Sequence, residues 1–447
     1  MGWSYTIREL AAAVGAEAPA LDGAFTSVST DTRTIREGDV FFALSGERFD
    51  GSTFVEDAFA KGALAAVTTR ASEKGPCLVV PDVLQALQAF ARAHRMRYTA
   101  PVIAITGSCG KTTTKDFAAA VLGSRMNVVK TKGNFNNEIG CPLSLLQIDA
   151  ATDAAIIEMG AASTGNIADL CALAMPTESV ITLVAPAHLE GFGTIDVVAR
   201  TKAEIAEHLP EDGVFYVNVD NPWCVKAAEF FAGRKVLIGS HGDVVLKSCA
   251  FAEDGEIVLD IEPIGAIRLP LLNRAHATNA LIAVAIGLEH GIEEFEGPLR
   301  EAAAAPARFR LLHMNGIDVF DDTYNASPAS MSAAIEGLAE RPAKGARLAA
   351  LGDMLELGPD SGRYHADIGA LTGRLGIEHV FAMGSHASAM IGAARESGVP
   401  HAEVFSSHQA MADAIRSVAK SGDVLLVKGS RGMRMEGVIE ALRASTG

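Results

Sequence analysis

Apolar positions along this chain come mostly in short unbroken runs rather than in alternation with polar ones. From residue 102 onward the runs VIAIT (102–106), AAIIEMG (154–160), SVITLVA (179–185) and GVFYVNV (213–219) recur with helical stretches between them. A strand with one wet face alternates apolar and polar side chains. An unbroken run predicts a strand buried on both faces, as in a parallel sheet covered by helices. After the alanine-rich EAAAAPAR (301–308) a second series begins: GIDVFDD (316–322), RLAALGDM (347–354), HVFAMGS (379–385) and DVLLVKGSRG (423–432). It predicts a second, smaller α/β unit. Ahead of both, GDVFFAL (38–44) and LAAVTT (64–69) read as strands, and TFVEDAFAKGA (53–63) as the helix between them. The basic RAHRMRYTAP (92–101), ending in proline, reads as a linker.

At 447 residues the chain is too long for one core, so two or three domains are expected. Its 49% hydrophobic and 21% charged residues are those of a soluble globular protein. Acidic residues outnumber basic ones, 54 to 38, for a net charge of −16. That excess argues against broad nucleic-acid or anionic-membrane surfaces. An anionic ligand must then be held by local devices: backbone amides, a few lysines and arginines, metal ions. The six cysteines form no CxxC pair and suit a reducing cytoplasm. No apolar run is long enough to span a bilayer, and no signal peptide is expected.

The chemistry starts at AITGSCGKTTTK (104–115). A strict phosphate-loop pattern, GxxxxGK[ST], would put its first glycine at Ile105, so what stands is the shorter Gly107-x-x-Gly110-Lys111-Thr112. The logic survives the shortening: backbone N–H groups and a helix N-terminus face phosphate oxygens, Lys111 neutralises them, and the Thr112 hydroxyl can ligate Mg²⁺. Glu158 ends one predicted strand and His188 follows another. Ligands of parallel sheets gather beyond the carboxyl ends of strands, so the loop, Glu158 and His188 are expected to meet in one cleft. In VVARTKAEIAEHL (197–209) a helix would put Val198, Lys202, Ile205 and Leu209 on one face, opposite Arg200, Glu204 and Glu207. A lysine in an apolar stripe must snorkel, pair, or lose its charge. No GxGxxG appears, so a dinucleotide site is not indicated.

Several longer stretches carry a resemblance. STDTRTIREGDVFFALSGERFDG (29–51), TKGNFNNEIGCPLSLL (131–146), IIEMGA (156–161), PAHLEGFG (186–193), FDDTYNASPASM (320–331), LGDMLELG (351–358) and VKGSRGMRME (427–436) resemble segments of the Mur ligases of peptidoglycan synthesis. The last three set one branch of that family apart from its siblings. The resemblance implies three α/β domains: a UDP-substrate domain over 1–99, a central parallel-sheet ATPase domain over 100–305, and a Rossmann-like closing domain over 306–447. It implies a monomeric cytoplasmic enzyme whose small-molecule partners are UDP-N-acetylmuramoyl-tripeptide and D-alanyl-D-alanine, joined with ATP through an acyl phosphate.

Carried over residue by residue, Gly107, Ser108, Cys109, Gly110, Lys111, Thr112 and Thr113 would hold ATP, with Asn279 near adenine and Arg308 and Asp322 near phosphates and ribose. Thr112, Glu158, His188 and Lys202 would serve two Mg²⁺ ions, Lys202 after capturing CO₂ as a carbamate. Asp31, Thr32, Arg33, Asn134 and Asn137 would meet the UDP-sugar, and Asn325 and Ser327 the dipeptide. The chain departs from the family's pattern at Ala275, where no ring is available for the nucleobase, and at Cys109, where serine or asparagine is commoner. A folylpolyglutamate-type ligase shares the loop and the lysine but not DDTYNASP or LGDMLELG. A P-loop switch would hydrolyse ATP without an amine acceptor.

Overall fold

In the computed structural model, which describes residues 2–20, 23–46, 49–271, 273–304 and 310–444, the apolar runs become strands of three main sheets. The central sheet has nine strands. Val128–Lys130, Ala154–Glu158, Val102–Thr106, Glu178–Ile181, Val214–Asn218, Arg234–Gly239 and Val244–Phe251 run parallel in that order, and Ile257–Glu262 and Gly265–Leu269 extend it antiparallel. The burial explains the pattern. Val102, Ala104, Ala155, Ile157, Phe215 and Val217 point into one core, while Ile103, Ile105, Ala154, Ile156 and Tyr216 point into another on the opposite face. Side chains still alternate with the two-residue period of a strand, but both faces are dry.

The last sheet has six strands, with Arg310–Met314 antiparallel to Ile317–Asp322 and the rest parallel through Val424–Lys428, Arg347–Gly352, His379–Met383 and His401–Phe405. It too splits its residues, Val319 and Leu425 to one side, Phe320 and Leu426 to the other. The first sheet is small and parallel: Val28–Ser29, Val40–Phe42, Ala65–Thr68 and Cys77–Val79.

The basic stretch read as a linker begins inside a helix: Val83–Arg95 takes its first four residues, of which His94 and Arg95 are buried, and residues 96–101 carry no regular element. The Arg92 Nε–H donates to the Ala172 carbonyl at 3.2 Å and that of Arg95 to Ala174 at 3.0 Å. These carbonyls lie in the last turn of helix Asn166–Ala174, which has no later N–H to satisfy them. The positive charges therefore cap a helix of the central unit. Tyr5 OH lies 2.9 Å from His94 Nδ1, and His94 Nε2 lies 2.8 Å from the Ile148 carbonyl. Burial holds the His94 pKa below its usual value, so the ring stays neutral, accepting from Tyr5 and donating to Ile148. One apolar core runs without a break from Trp3, Phe25 and Phe90 through Leu145 and Leu170 to Phe215 and Phe231. The cores of the last sheet stay within residues 311–442.

Candidate active site

Strand order reverses at Val102–Thr106. Its neighbours are Ala154–Glu158 on one side and Glu178–Ile181 on the other, so a crevice opens at its carboxyl end. The turn into helix Lys111–Gly123 fills this point. Gly107 has φ 151°, and a Cβ there would lie 1.9 Å from Thr182 Oγ1. Gly110 has φ 82°, and its Cβ would lie 2.5 Å from Asn279 Oδ1. Both places demand glycine, for backbone shape and for space.

The turn is stapled to the next strand's exit. The Ser108 N–H donates to the Leu183 carbonyl at 2.8 Å, its hydroxyl donates to the Ala185 carbonyl at 2.8 Å, and Thr182 Oγ1 donates to the Cys109 carbonyl at 2.5 Å. Thr114 donates to the Gly110 carbonyl at 2.8 Å, closing the first helical turn. The N–H groups of Lys111, Thr112 and Thr113 precede it and have no acceptor within the helix, which makes a seat for an anion. Lys111 arches over the turn, its Nζ 2.7 Å from the Gly107 carbonyl.

Glu158 ends its strand 1% exposed. It accepts from Thr112 Oγ1 at 2.8 Å and from Asn136 Nδ2 at 2.8 Å, with Lys115 Nζ at 3.7 Å. The loop and Glu158 therefore meet as expected. Among the described residues no three His, Cys, Asp or Glu side chains gather as a metal cage. A buried carboxylate touching a hydroxyl at a phosphate seat suits Mg²⁺, which takes few protein oxygens and completes its shell with phosphate and water.

Asn136 was not singled out by the sequence. Its neighbours were: Asn134 is exposed, and Asn137 accepts from the Gly140 N–H at 2.9 Å. The signal available was the run NFNNE, which does not tell three asparagines apart.

His188 does not pair with Glu158. It is left-handed at φ 52°, and its Nδ1 lies 2.5 Å from Glu356 Oε2, on the far side of the domain boundary. Lys202, on helix Ile195–Glu207, is 3% exposed and has no hydrogen-bond or ion-pair partner among the described residues. Burial, reinforced by the charge of Lys111, pulls its pKa down to about 7. The apolar stripe is real, but its opposite face is not uniformly wet. Glu204 is buried and accepts from the N–H groups of Gly165 at 2.8 Å and Ala168 at 3.0 Å, capping helix Asn166–Ala174. Leu209 falls beyond the helix end.

The last domain meets this edge. Ser327 caps helix Pro328–Glu340, and its hydroxyl lies 3.1 Å from Cys109 Sγ. Lys428 Nζ, another residue the sequence reading passed over, donates to Asp322 Oδ2 at 2.7 Å and to the Asn325 carbonyl at 2.9 Å, in a buried pair. The Asn325 side chain is exposed, and Asn279 accepts from Thr114 Oγ1 at 3.2 Å. Arg308 lies outside the described residues. The last domain's own anion seat is taken: Asp353 accepts from the N–H groups of Ser385 at 2.6 Å and His386 at 3.2 Å, ahead of helix Ala387–Glu396.

On the first domain, Arg33 grips Asp31 through two nitrogens, at 2.9 and 2.6 Å, and that grip lowers the Asp31 pKa to about 2. Thr32 bonds Asp57. The pair is exposed and open to a ligand.

Three family models match in chain order: the Mur ligase family catalytic domain over residues 24–95, the Mur ligase middle domain over 105–287, and the Mur ligase glutamate ligase domain over 307–431. The UDP-N-acetylmuramoyl-tripeptide--D-alanyl-D-alanine ligase of Bacillus subtilis (strain 168) is 35% identical over 425 residues, covering 93% of this chain and 92% of its own. A crystal structure of MurF from Acinetobacter baumannii superposes with a TM-score of 0.89 at 29% identity, covering 98% of this chain and 99% of that one. The MurF ligase of Thermotoga maritima in complex with ADP superposes with a TM-score of 0.84 at 30% identity, over 93% and 96% of the two chains.

Proposed function

The chain belongs to the Mur ligase family, and from that premise we propose that it joins D-alanyl-D-alanine to UDP-N-acetylmuramoyl-tripeptide, spending ATP, in peptidoglycan precursor synthesis. The observation that carries the ATP chemistry is the switch point: unclaimed helix N–H groups, Lys111, and the Thr112–Glu158 pair within 2.8 Å. The choice of acceptor rests on the relatives' shared activity. A substrate carboxylate takes the γ-phosphoryl group, ADP leaves, and the dipeptide amine then displaces phosphate from the acyl phosphate. No side chain need act as a covalent nucleophile. The protein's part is positioning and charge compensation.

The loop amides and Lys111 are assigned to the phosphates of ATP, supported by the glycine turn at the strand exit and the lysine arched over it. Thr112 and Glu158 would hold one Mg²⁺, which would supply positive charge to offset the charge that builds on the transferring group. His188 is assigned to a second ion, supported by its Nδ1 contact with a carboxylate, the usual outer partner of a metal-bound imidazole. Lys202 is assigned as a carbamate. A buried lysine with a pKa of about 7 supplies the neutral amine that attacks CO₂, losing a proton as the N–C bond forms. Asp31, Thr32 and Arg33 are assigned to the UDP-sugar, with Asn134 and Asn137; Asn279 to adenine; Arg308 and Asp322 to phosphates and ribose; Asn325 and Ser327 to the dipeptide. The 1–99, 100–305 and 306–447 divisions, a monomeric state and a cytoplasmic setting belong to the same reading. No helix among the described residues is long and apolar enough to cross a membrane, and the six cysteines are free.

The test is incubation with ATP, the diaminopimelate and lysine forms of the tripeptide, and D-alanyl-D-alanine, read by mass spectrometry. One UDP-muramoyl-pentapeptide, one ADP and one phosphate per cycle are expected. AMP appearing in step with the amide, or ATP hydrolysis indifferent to dipeptide, would overturn the reading.

A further inference from the structure

The stretch 356–358 of the last domain hooks onto the second domain beside His188. The Glu356 carbonyl accepts from the Glu190 N–H at 3.2 Å, and Gly358 lies against the Glu190 backbone. Both ends of the hook are left-handed without being glycine, His188 at φ 52° and Glu356 at φ 64°. Such conformations cost energy and persist where the surroundings impose them, often at functional positions. Between them runs the 2.5 Å contact from His188 Nδ1 to Glu356 Oε2. The side chains are 46% and 59% exposed, so the pair adds little to stability. Its effect is directional. A carboxylate only accepts, so Nδ1 must carry the proton, and in the neutral ring Nε2 is left with the lone pair.

We propose that Glu356 is a positioning residue: a carboxylate supplied by the last domain that fixes His188 in its Nδ1–H tautomer only while that domain is docked. The His188 ring belongs to the nucleotide-binding unit, so its readiness is set by the position of a different domain. Docking thus completes the site through a proton's location, not only through proximity. The inference rests on the role given to His188 above.

The test uses the full chain labelled with ¹⁵N-histidine, in the presence of a non-hydrolysable ATP analogue and UDP-N-acetylmuramoyl-tripeptide, with His188 assigned through His188→Gln. At about pH 8.5, where an ordinary imidazole is neutral, the wild type should show a protonated Nδ1 and an unprotonated Nε2. Glu356→Ala should show a mixture of tautomers. In ligase assays Glu356→Ala should lower kcat about tenfold, with KM for the UDP-substrate within about twofold. Glu356→Gln, whose amide oxygen still accepts, should recover most of the rate. An unshifted tautomer in Glu356→Ala, or an unchanged kcat, would overturn the proposal. A wild type with no ligase turnover would count against the reaction assigned above, and the tautomer shift would still decide whether Glu356 orients the ring.

Discussion

Lys202 is the residue whose chemistry depends most on its surroundings. It is 3% exposed and near the charge of Lys111, with no ion-pair partner among the described residues, so the neutral amine is the form burial favours. Lys202→Ala should cut turnover by about a hundredfold or more while leaving ATP affinity within a few-fold, and a small carboxylic acid in excess should restore part of the rate. Lys202→Arg should stay inactive, since a guanidinium forms no carbamate. Wild-type turnover in Lys202→Arg would make the lysine an ordinary buried side chain.

His276 gives a second test at this scale. Burial first, then the charge of Lys428, brings its pKa from 6.5 to about 4. The unfolded chain takes up this proton near pH 6.5 and the folded one only near pH 4. Stability present above pH 6.5 is therefore lost progressively as pH falls to about 4, by up to about 3 kcal/mol. His276→Asn should flatten that part of a denaturant-midpoint-against-pH curve, and an unchanged slope would sink the assignment. Lys202 was legible in the sequence because its stripe repeats with the helical period. Glu204, two residues from Lys202 on the same helix, was not. Its partners are the N–H groups of Gly165 and Ala168 on another helix, and spacing along one element says nothing about what a neighbouring element leaves unsatisfied.

At the level of elements the phosphate turn is the most constrained piece. Gly107→Ala puts a Cβ on the Thr182 hydroxyl, which itself holds the Cys109 carbonyl, so the turn must move as a whole. We expect at least a tenfold loss of ATP affinity by calorimetry, with the rest of the fold intact by circular dichroism. Unaltered binding would mean that the turn is not the phosphate seat. The strands around it were readable because burial on both faces leaves an apolar run with little competing interpretation. The tail of helix Val83–Arg95 was not, because its arginines look solvated until the carbonyls of Ala172 and Ala174 are placed beside them. The switch-point argument brought Thr112 and Glu158 together correctly, since strand order alone fixes their shared edge. It says nothing of what His188 touches, because that side chain's partner, Glu356, comes from another sheet.

Across the whole molecule, the last domain touches the nucleotide unit through Cys109 and Ser327, His188 and Glu356, and the Arg274–Glu340 ion pair. These three contacts are polar, as expected of a surface that separates and re-forms. Small-angle scattering should therefore give a smaller radius of gyration with ATP analogue and UDP-substrate than without them. Equal radii would argue against a hinge. The acidic balance of −16 is an average over the surface and does not describe the phosphate turn, where helix amides and Lys111 stand together.

The unbroken core shared by the first and second domains also bears on how the protein is made. Trp3, Phe25 and Phe90 share one core with Leu145, Ile148 and Leu170. Synthesis delivers the first set well before the second; at about 5–20 residues per second the intervening stretch takes on the order of ten seconds. For that interval a nascent chain carries its aromatic cluster without the second-domain side of the core. The opening hundred residues, though they contain their own small sheet, must wait on the ribosome for a later stretch of the message before they can settle. A chaperone that shields apolar surface has its working window there, and a pause in translation placed before residue 141 would lengthen it.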